Sequence, residues 1–165
     1  RVWVDSDTQR PAMLRLGDVV PYTVDEIAER KDSELAFGMK QHIFRGALRP
    51  GTSVRDGAGS LHYASGDYYI GHFRNHHKAG PGMWLSPTGY AIEGQFQSDH
   101  AHGFCLERYP GGDVYLGDFA NGVPHGRGTL YYTRNGSRYE GGFSKGEKHG
   151  EGVIFYENGD VFQGT

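Results

Sequence analysis

Cysteine is nearly absent from this chain: Cys105 stands alone among 165 residues, so no disulfide framework can form within one copy, and the sequence suits a reducing compartment. Long apolar runs are missing as well. No stretch approaches about 18 apolar residues, and the start Arg1-Val2-Trp3-Val4-Asp5 lacks the shape of a signal peptide. These absences set the expectation of a soluble, cytoplasmic protein, and Arg at position 1 that of a segment of a longer or processed polypeptide. Leu, Ile, Val and Phe together number 33, or 20 % of the chain, which is the lower edge of what fills an ordinary globular core. A thick two-layer interior is therefore not expected. Net charge is small too. The net charge of -3 and pI near 6.3 exclude a whole-molecule field that would draw the protein to nucleic acid or to an anionic bilayer.

What is present is glycine and aromatic rings. The 22 aromatic residues and only 7 prolines argue for a folded chain, because ring burial offsets ordering entropy effectively. Glycine, at 27 of 165 residues, is more than twice its usual share and has no period of three, so it marks turns. All but Gly17 and Gly38 lie after residue 42, which divides the chain into an extension, 1–42, and a glycine-rich array, 43–165. Within the extension, Thr23-Val24-Asp25-Glu26 has the capping-box pattern that opens a helix, expected over about 24–39. Val24, Ile27, Ala28 and Leu35 make its narrow apolar stripe, suited to packing on the array or to docking a partner.

The array repeats itself. Tyr115-Leu116-Gly117-Asp118-Phe119, Gly122 and His125-Gly126-Arg127-Gly128 are matched by Tyr139-Glu140-Gly141-Gly142-Phe143, Gly146 and His149-Gly150-Glu151-Gly152. Earlier copies begin at Tyr69 and Ile92, a weaker one at Phe44, and a last one near 162. The first glycines fall at 71, 94, 117, 141 and 164, in steps of 23, 23, 24 and 23. In Tyr-x-Gly-x-Phe the named residues share one face of a strand, and the glycine leaves room for a ring to lie over the backbone. Ser65-Gly66, Thr88-Gly89, Gly111-Gly112, Asn135-Gly136 and Asn158-Gly159 supply tight turns between hairpins.

This spacing resembles the MORN repeat, a hairpin unit of the form Tyr-x-Gly-x-Phe-x-x-Gly-x-x-His-Gly-x-Gly. Departures are Ala79 for His, Ile92 for Tyr, Cys105 for the second Gly, and a lengthened first turn. The resemblance implies an all-β, elongated, single-layer antiparallel meander with a groove along one side, acting as a scaffold or partner-binding surface. Family members are attached to cytoskeletal, ciliary or membrane-associated assemblies, and some form homodimers. The expected partners are thus other proteins of a cytoskeletal or axonemal assembly, or a second copy, with a phosphoinositide or other lipid surface as the alternative. A regulatory array of a larger enzyme is the second alternative.

No catalytic set stands out. The chain holds no GxSxG, HExxH or GxxxxGK[ST] pattern, and its Gly-x-Gly fragments follow hairpin turns rather than open helices, so neither an enzyme nor a cofactor is expected. Asp67, Asp113 and Asp160 recur after turn glycines and read as turn residues, and Cys105, replacing a repeat glycine, reads as a packed thiol. His102, His125 and His149 recur at hairpin spacing, about 9.5 Å apart, too far for one zinc ion that needs nitrogens within about 2.1 Å. No metal is expected, and these rings are assigned to hydrogen bonds with turn carbonyls.

Two candidate surfaces remain. Tyr63, Trp84, Tyr109, Tyr132 and Tyr156 are expected to line one column at about 10 Å intervals and to anchor a protein partner. Arg74, His76, His77 and Lys78, beside His72, form a local basic turn able to touch phosphate or acidic groups. Tyr69, Phe73, Phe96, Tyr115, Phe119, Tyr139 and Phe143 are expected to be framework.

Overall fold

The structure, a computed structural model, describes residues 42–165; the helix expected over 24–39 lies outside the described residues. The strands are β1 (Ile43–Leu48), β2 (Arg55–His62), β3 (Tyr68–Arg74), β4 (His77–Leu85), β5 (Ala91–Gln97), β6 (His100–Arg108), β7 (Val114–Ala120), β8 (Val123–Tyr131), β9 (Arg138–Ser144), β10 (Glu147–Phe155) and β11 (Val161–Gly164). They form one antiparallel sheet in sequence order, β1 to β11. The expected open meander is what the structure shows.

Two kinds of turn alternate along the ribbon's long edges, and each follows from local chemistry. On one edge the two-residue loops Asn75-His76, Ser98-Asp99, Asn121-Gly122 and Lys145-Gly146 have positive φ at both positions, as at Asn121 (52°) and Gly122 (83°). That is the hairpin turn whose twist matches its strands. Amides of these turns also donate to carbonyls one hairpin back, His76 to Arg55 and Gly122 to Ala101 at 2.9 Å, which knits the edge together. On the opposite edge Tyr63, Ser86, Tyr109 and Tyr156 each open a wider turn in which the glycine amide returns to their carbonyl, 2.9 Å for Gly66 to Tyr63. The 24-residue step arises in one of these turns, where Tyr132 closes on Ser137 instead of a residue four positions on.

Register places the core on one face. Cross-strand pairing aligns Phe44, Leu61, Tyr69, Trp84, Ile92, Glu107, Tyr115, Leu130, Tyr139, Ile154 and Phe162 in a single row across the sheet. Beside it, glycines pair with glycines, Gly71 with Gly82 and Gly117 with Gly128. The tyrosine rings fill the space these glycines leave: a Cβ added to Gly128 would lie 2.4 Å from the Tyr115 ring. Each hydroxyl then donates to a carbonyl in its own strand, Tyr69 to His72 at 3.1 Å, Tyr115 to Asp118 at 3.0 Å and Tyr139 to Gly142 at 3.1 Å. Burial raises the pKa of Tyr69 and Tyr115. Edge-on contacts link Tyr69 and Tyr115 to phenylalanines of their own and the next unit: Tyr69 meets Phe73 at 5.2 Å and Phe96 at 5.1 Å, and Tyr115 meets Phe119 and Phe143 at 5.4 and 4.7 Å. The framework residues are all buried, as the spacing implied. A sheet one layer thick thus makes a core from rings lying on its own backbone.

The unit opening at Ile92 solves the same problem differently. There Ile92 replaces the tyrosine and Cys105 the second glycine, and the Cys105 thiol occupies the space over Gly94, whose added Cβ would meet Sγ at 2.5 Å. Sγ donates to the Gln95 carbonyl at 3.5 Å, the position whose carbonyl accepts the tyrosine hydroxyl elsewhere. Burial pushes the thiol pKa up to about 11, as befits a packed group. The two substitutions therefore compensate one another. Ile92→Tyr alone is expected to drive a ring into the thiol, and Cys105→Gly alone to leave a void, each costing about 1–3 kcal/mol. The double variant should restore the tyrosine-over-glycine arrangement, with a coupling energy above about 1 kcal/mol in urea unfolding. Additive losses would show that the two positions are independent.

Candidate functional site

Above the framework row, the ring-bearing face presents the residues expected to bind a partner, but in two rows. Tyr63, Tyr109, Tyr132 and Tyr156 sit at the base of the wider turns. Trp84 belongs to the adjacent row, paired with Tyr69 and Ile92, while Ser86 takes the turn position of its unit. Strand parity puts all five on one face yet does not say which row each occupies. The Trp84 ring packs on that of Tyr63, with centroids 4.9 Å apart rather than the expected interval of about 10 Å. Tyr63, Trp84, Tyr109 and Tyr132 are half-buried against the core, and Tyr156 is exposed at 45 %.

Cations also lie on this face, which the sequence did not suggest. Lys78 Nζ sits 4.1 Å from the Trp84 ring centroid and 5.4 Å from that of Tyr69, and burial lowers the pKa of its ammonium. Three units on, at the equivalent position, Lys148 Nζ lies 5.0 Å from Tyr132 and 4.9 Å from Tyr139. Between them the face carries a carboxylate. Glu107, only 5 % exposed, accepts hydrogen bonds from Tyr90 at 2.5 Å and Tyr109 at 2.7 Å. The pKa of both phenols is raised, by burial first and by their bonds to Glu107 second. Near the last strand a hollow of about 410 Å³ opens on the same face, lined by Tyr139, Lys148, Gly152, Ile154 and Phe162.

The basic turn does not form one site. Lys78 is folded onto the rings, and His76 lies at the ribbon edge with Nδ1 3.5 Å from the Arg55 amide. His77 is bound to Asp99, Nδ1 to Oδ2 at 2.5 Å. Burial opposes ionisation of Asp99, but the His77 bond and the Lys78 amide at 2.8 Å outweigh it and lower the carboxyl pKa. Arg74 and His77 instead border a cleft of about 840 Å³ with Asp56, His72, Gln95 and His102. Register sets His72 on the face opposite the rings, and its Nδ1 is buried with no partner among the described residues. The histidine ladder needs correction as well. His102, His125 and His149 are exposed and show no hydrogen bond to turn carbonyls among the described residues. The glycine after each takes positive φ in a bulge, where three residues oppose one, and this aims the imidazole outward. Asp67 and Asp160 do hold their turns, accepting from Ser65 at 2.6 Å and Asn158 at 2.7 Å, and Asp113 reaches the next turn through the Thr133 amide at 2.9 Å.

Comparison with known proteins agrees with this geometry. The MORN-repeat family model matches residues 69–89, 93–114, 115–137 and 139–161, more than half of the chain. The chain belongs to the MORN-repeat family. MORN repeats are non-enzymatic units that serve as protein-interaction or membrane-binding modules. No curated protein matches the chain. Among solved structures, the SAS-4 (dCPAP) TCP domain of Drosophila melanogaster, in complex with a proline-rich motif of Ana2 (dSTIL), is similar at 13 % identity and a TM-score of 0.44. That match covers 67 % of this chain and 61 % of the other. The MORN units coincide with the hairpins here: each matched segment begins in one strand, runs through the next, and ends in the wider turn or at the first residue of the strand that follows it. The family pattern made the framework readable, whereas Lys78, Lys148 and Glu107 lie outside it; the recurrence of Lys at positions 78 and 148 was the one available signal for the cations.

Proposed function

We propose that the MORN array is a non-catalytic scaffold that docks partner proteins along its ring-bearing face, within a cytoskeletal or ciliary assembly. The supporting observation is the set of half-buried rings Tyr63, Trp84, Tyr109 and Tyr132 packed against the buried framework. Such rings are large and rigid with a polar tip, the chemistry that concentrates binding energy in interfaces. A Trp84→Ala/Tyr132→Ala variant is expected to keep its sheet circular-dichroism signal and to lose partner recovery in pull-down at least tenfold, roughly the cost of one hot-spot residue. Unchanged recovery by a folded variant rejects the ring face as the docking surface. The lipid alternative has less support, because Lys78 and His77 are engaged within the protein. From 43 to 165 the array carries 11 Lys and Arg against 12 Asp and Glu, so opposing charges offset the attraction of about 1 kcal/mol per cation to anionic lipid. Sedimentation with anionic vesicles that weakened on neutralising Arg74 and Lys78 would favour that alternative instead.

A further inference from the structure

The ring-bearing face changes character at its middle. The edge-on ring contacts run from Phe44 through Phe73 and Tyr69 to Phe96, and again from Phe119 through Tyr115 and Phe143 to Tyr139. Ile92 supplies no ring to join them. In that unit Glu107 takes the row position held by Trp84, Leu130 and Ile154 in others. Withdrawing a carboxylate from water costs several kcal/mol unless hydrogen bonds and an opposite charge offset it, by the order of magnitude for buried ions. Tyr90 and Tyr109 supply the hydrogen bonds. Among the described residues no cation pairs with it: the ion pairs there are Arg49–Asp56, His77–Asp99 and Arg138–Glu140. The position that carries Lys78 and Lys148 in two other units is Ala101 in this one.

The flanking rings suit a cation from outside. Tyr90 and Tyr109 are both half-buried, with centroids 6.4 Å apart and planes inclined by 59°. A ring face attracts an ammonium or guanidinium within about 6 Å, and a phenol hydrogen-bonded to a carboxylate carries added electron density on that face. Elsewhere this protein uses the same contact internally, Lys78 over Trp84 at 4.1 Å.

We propose that Tyr90, Tyr109 and Glu107 receive one basic side chain, lysine or arginine, from a docked partner segment. This rests on the ring face being the docking surface and names the chemistry its partner carries. Lys78 lies over a row position two strands from Glu107, about 9.5 Å, and Lys148 over Tyr139, three strands away on the other side, about 14 Å. The face thus reads positive, negative, positive. The complementary segment presents a basic residue between acidic ones, amid apolar side chains for the rings.

Panning a library of random dodecapeptides on the immobilised protein tests this. Peptides competing for the ring face should be enriched in a single lysine or arginine. A selected peptide should bind Glu107→Gln at least about tenfold more weakly, as should the peptide with its basic residue replaced by methionine, and the two losses should not add. Tyr90→Leu should show the same loss, and it carries the test if Glu107→Gln melts early. Peptides that bind the ring face without basic enrichment, or that bind both variants unchanged, overturn the proposal and leave the docking surface standing. If no peptide is selected, or if those selected bind Trp84→Ala/Tyr132→Ala unchanged, the docking surface itself fails, and this receptor with it.

Discussion

A Tyr115→Ala variant is expected to lose about 3–5 kcal/mol of folding free energy, the usual cost of deleting a fully buried ring. Tyr115 is 0 % exposed, and its ring lies over Gly117 and Gly128 while touching phenylalanines of two successive units. Among the described residues no second sheet stands behind it to collapse into the void. Its removal therefore leaves Phe119 and Phe143 without their shared neighbour. Because a domain of this size has a total stability of about 5–15 kcal/mol, the urea midpoint should fall by a large fraction. Tyr115→Phe keeps the ring and loses only the bond to the Asp118 carbonyl, at a cost of about 1 kcal/mol. Stability in stacked repeats sums over neighbours, so hydrogen exchange in Tyr115→Ala should quicken first in β7 to β9. Equal losses for the alanine and phenylalanine variants would place the energy in the hydroxyl and not in the ring.

Gly117→Ala is expected to cost about 3 kcal/mol, at the upper end for overpacking a tight interior. The added Cβ would stand 2.5 Å from the Gly128 Cα and 2.6 Å from the Arg127 carbonyl oxygen, both backbone, and 2.6 Å from the Tyr115 hydroxyl. A side chain could swing away; paired backbone cannot without breaking the ladder. Gly111→Ala is the natural comparison, since nothing lies within 4 Å of its added Cβ. That substitution should change stability by less than about 0.5 kcal/mol. Thermal melts of the pair decide whether the repeat glycines are kept for space or for chain flexibility. A similar drop in both would favour flexibility.

The sheet and its framework were legible because the repeat carries them. Tyr, Gly and Phe at alternate positions fix which face is buried, and the regular spacing fixes the pairing of each hairpin with the next. What the pattern left out were residues whose role depends on row and reach. Trp84 and Ser86 have the same parity, so the alternation could not say that the indole would cross toward Tyr63. Lys78 looked like part of a basic turn, yet its stem is long enough to lay the ammonium on the rings. His125 and His149 fall in bulges, where strand parity ceases to predict direction. Cys105 read correctly as a packed thiol, but its exchange of roles with the missing tyrosine shows only when both are seen over Gly94. Glu107 has the parity of the ring face, but nothing in the repeat shows that Tyr90 and Tyr109 both donate to its carboxylate.

Every strand pairs only with the strands before and after it in the chain. Tension applied at residues 43 and 164 would therefore run across the strands and load the interstrand hydrogen bonds one after another, as in opening a zipper, instead of shearing many at once. Such a ribbon lengthens by releasing hairpins singly at low force. Whatever is docked along its rings would come loose at the same moment as the hairpin beneath it.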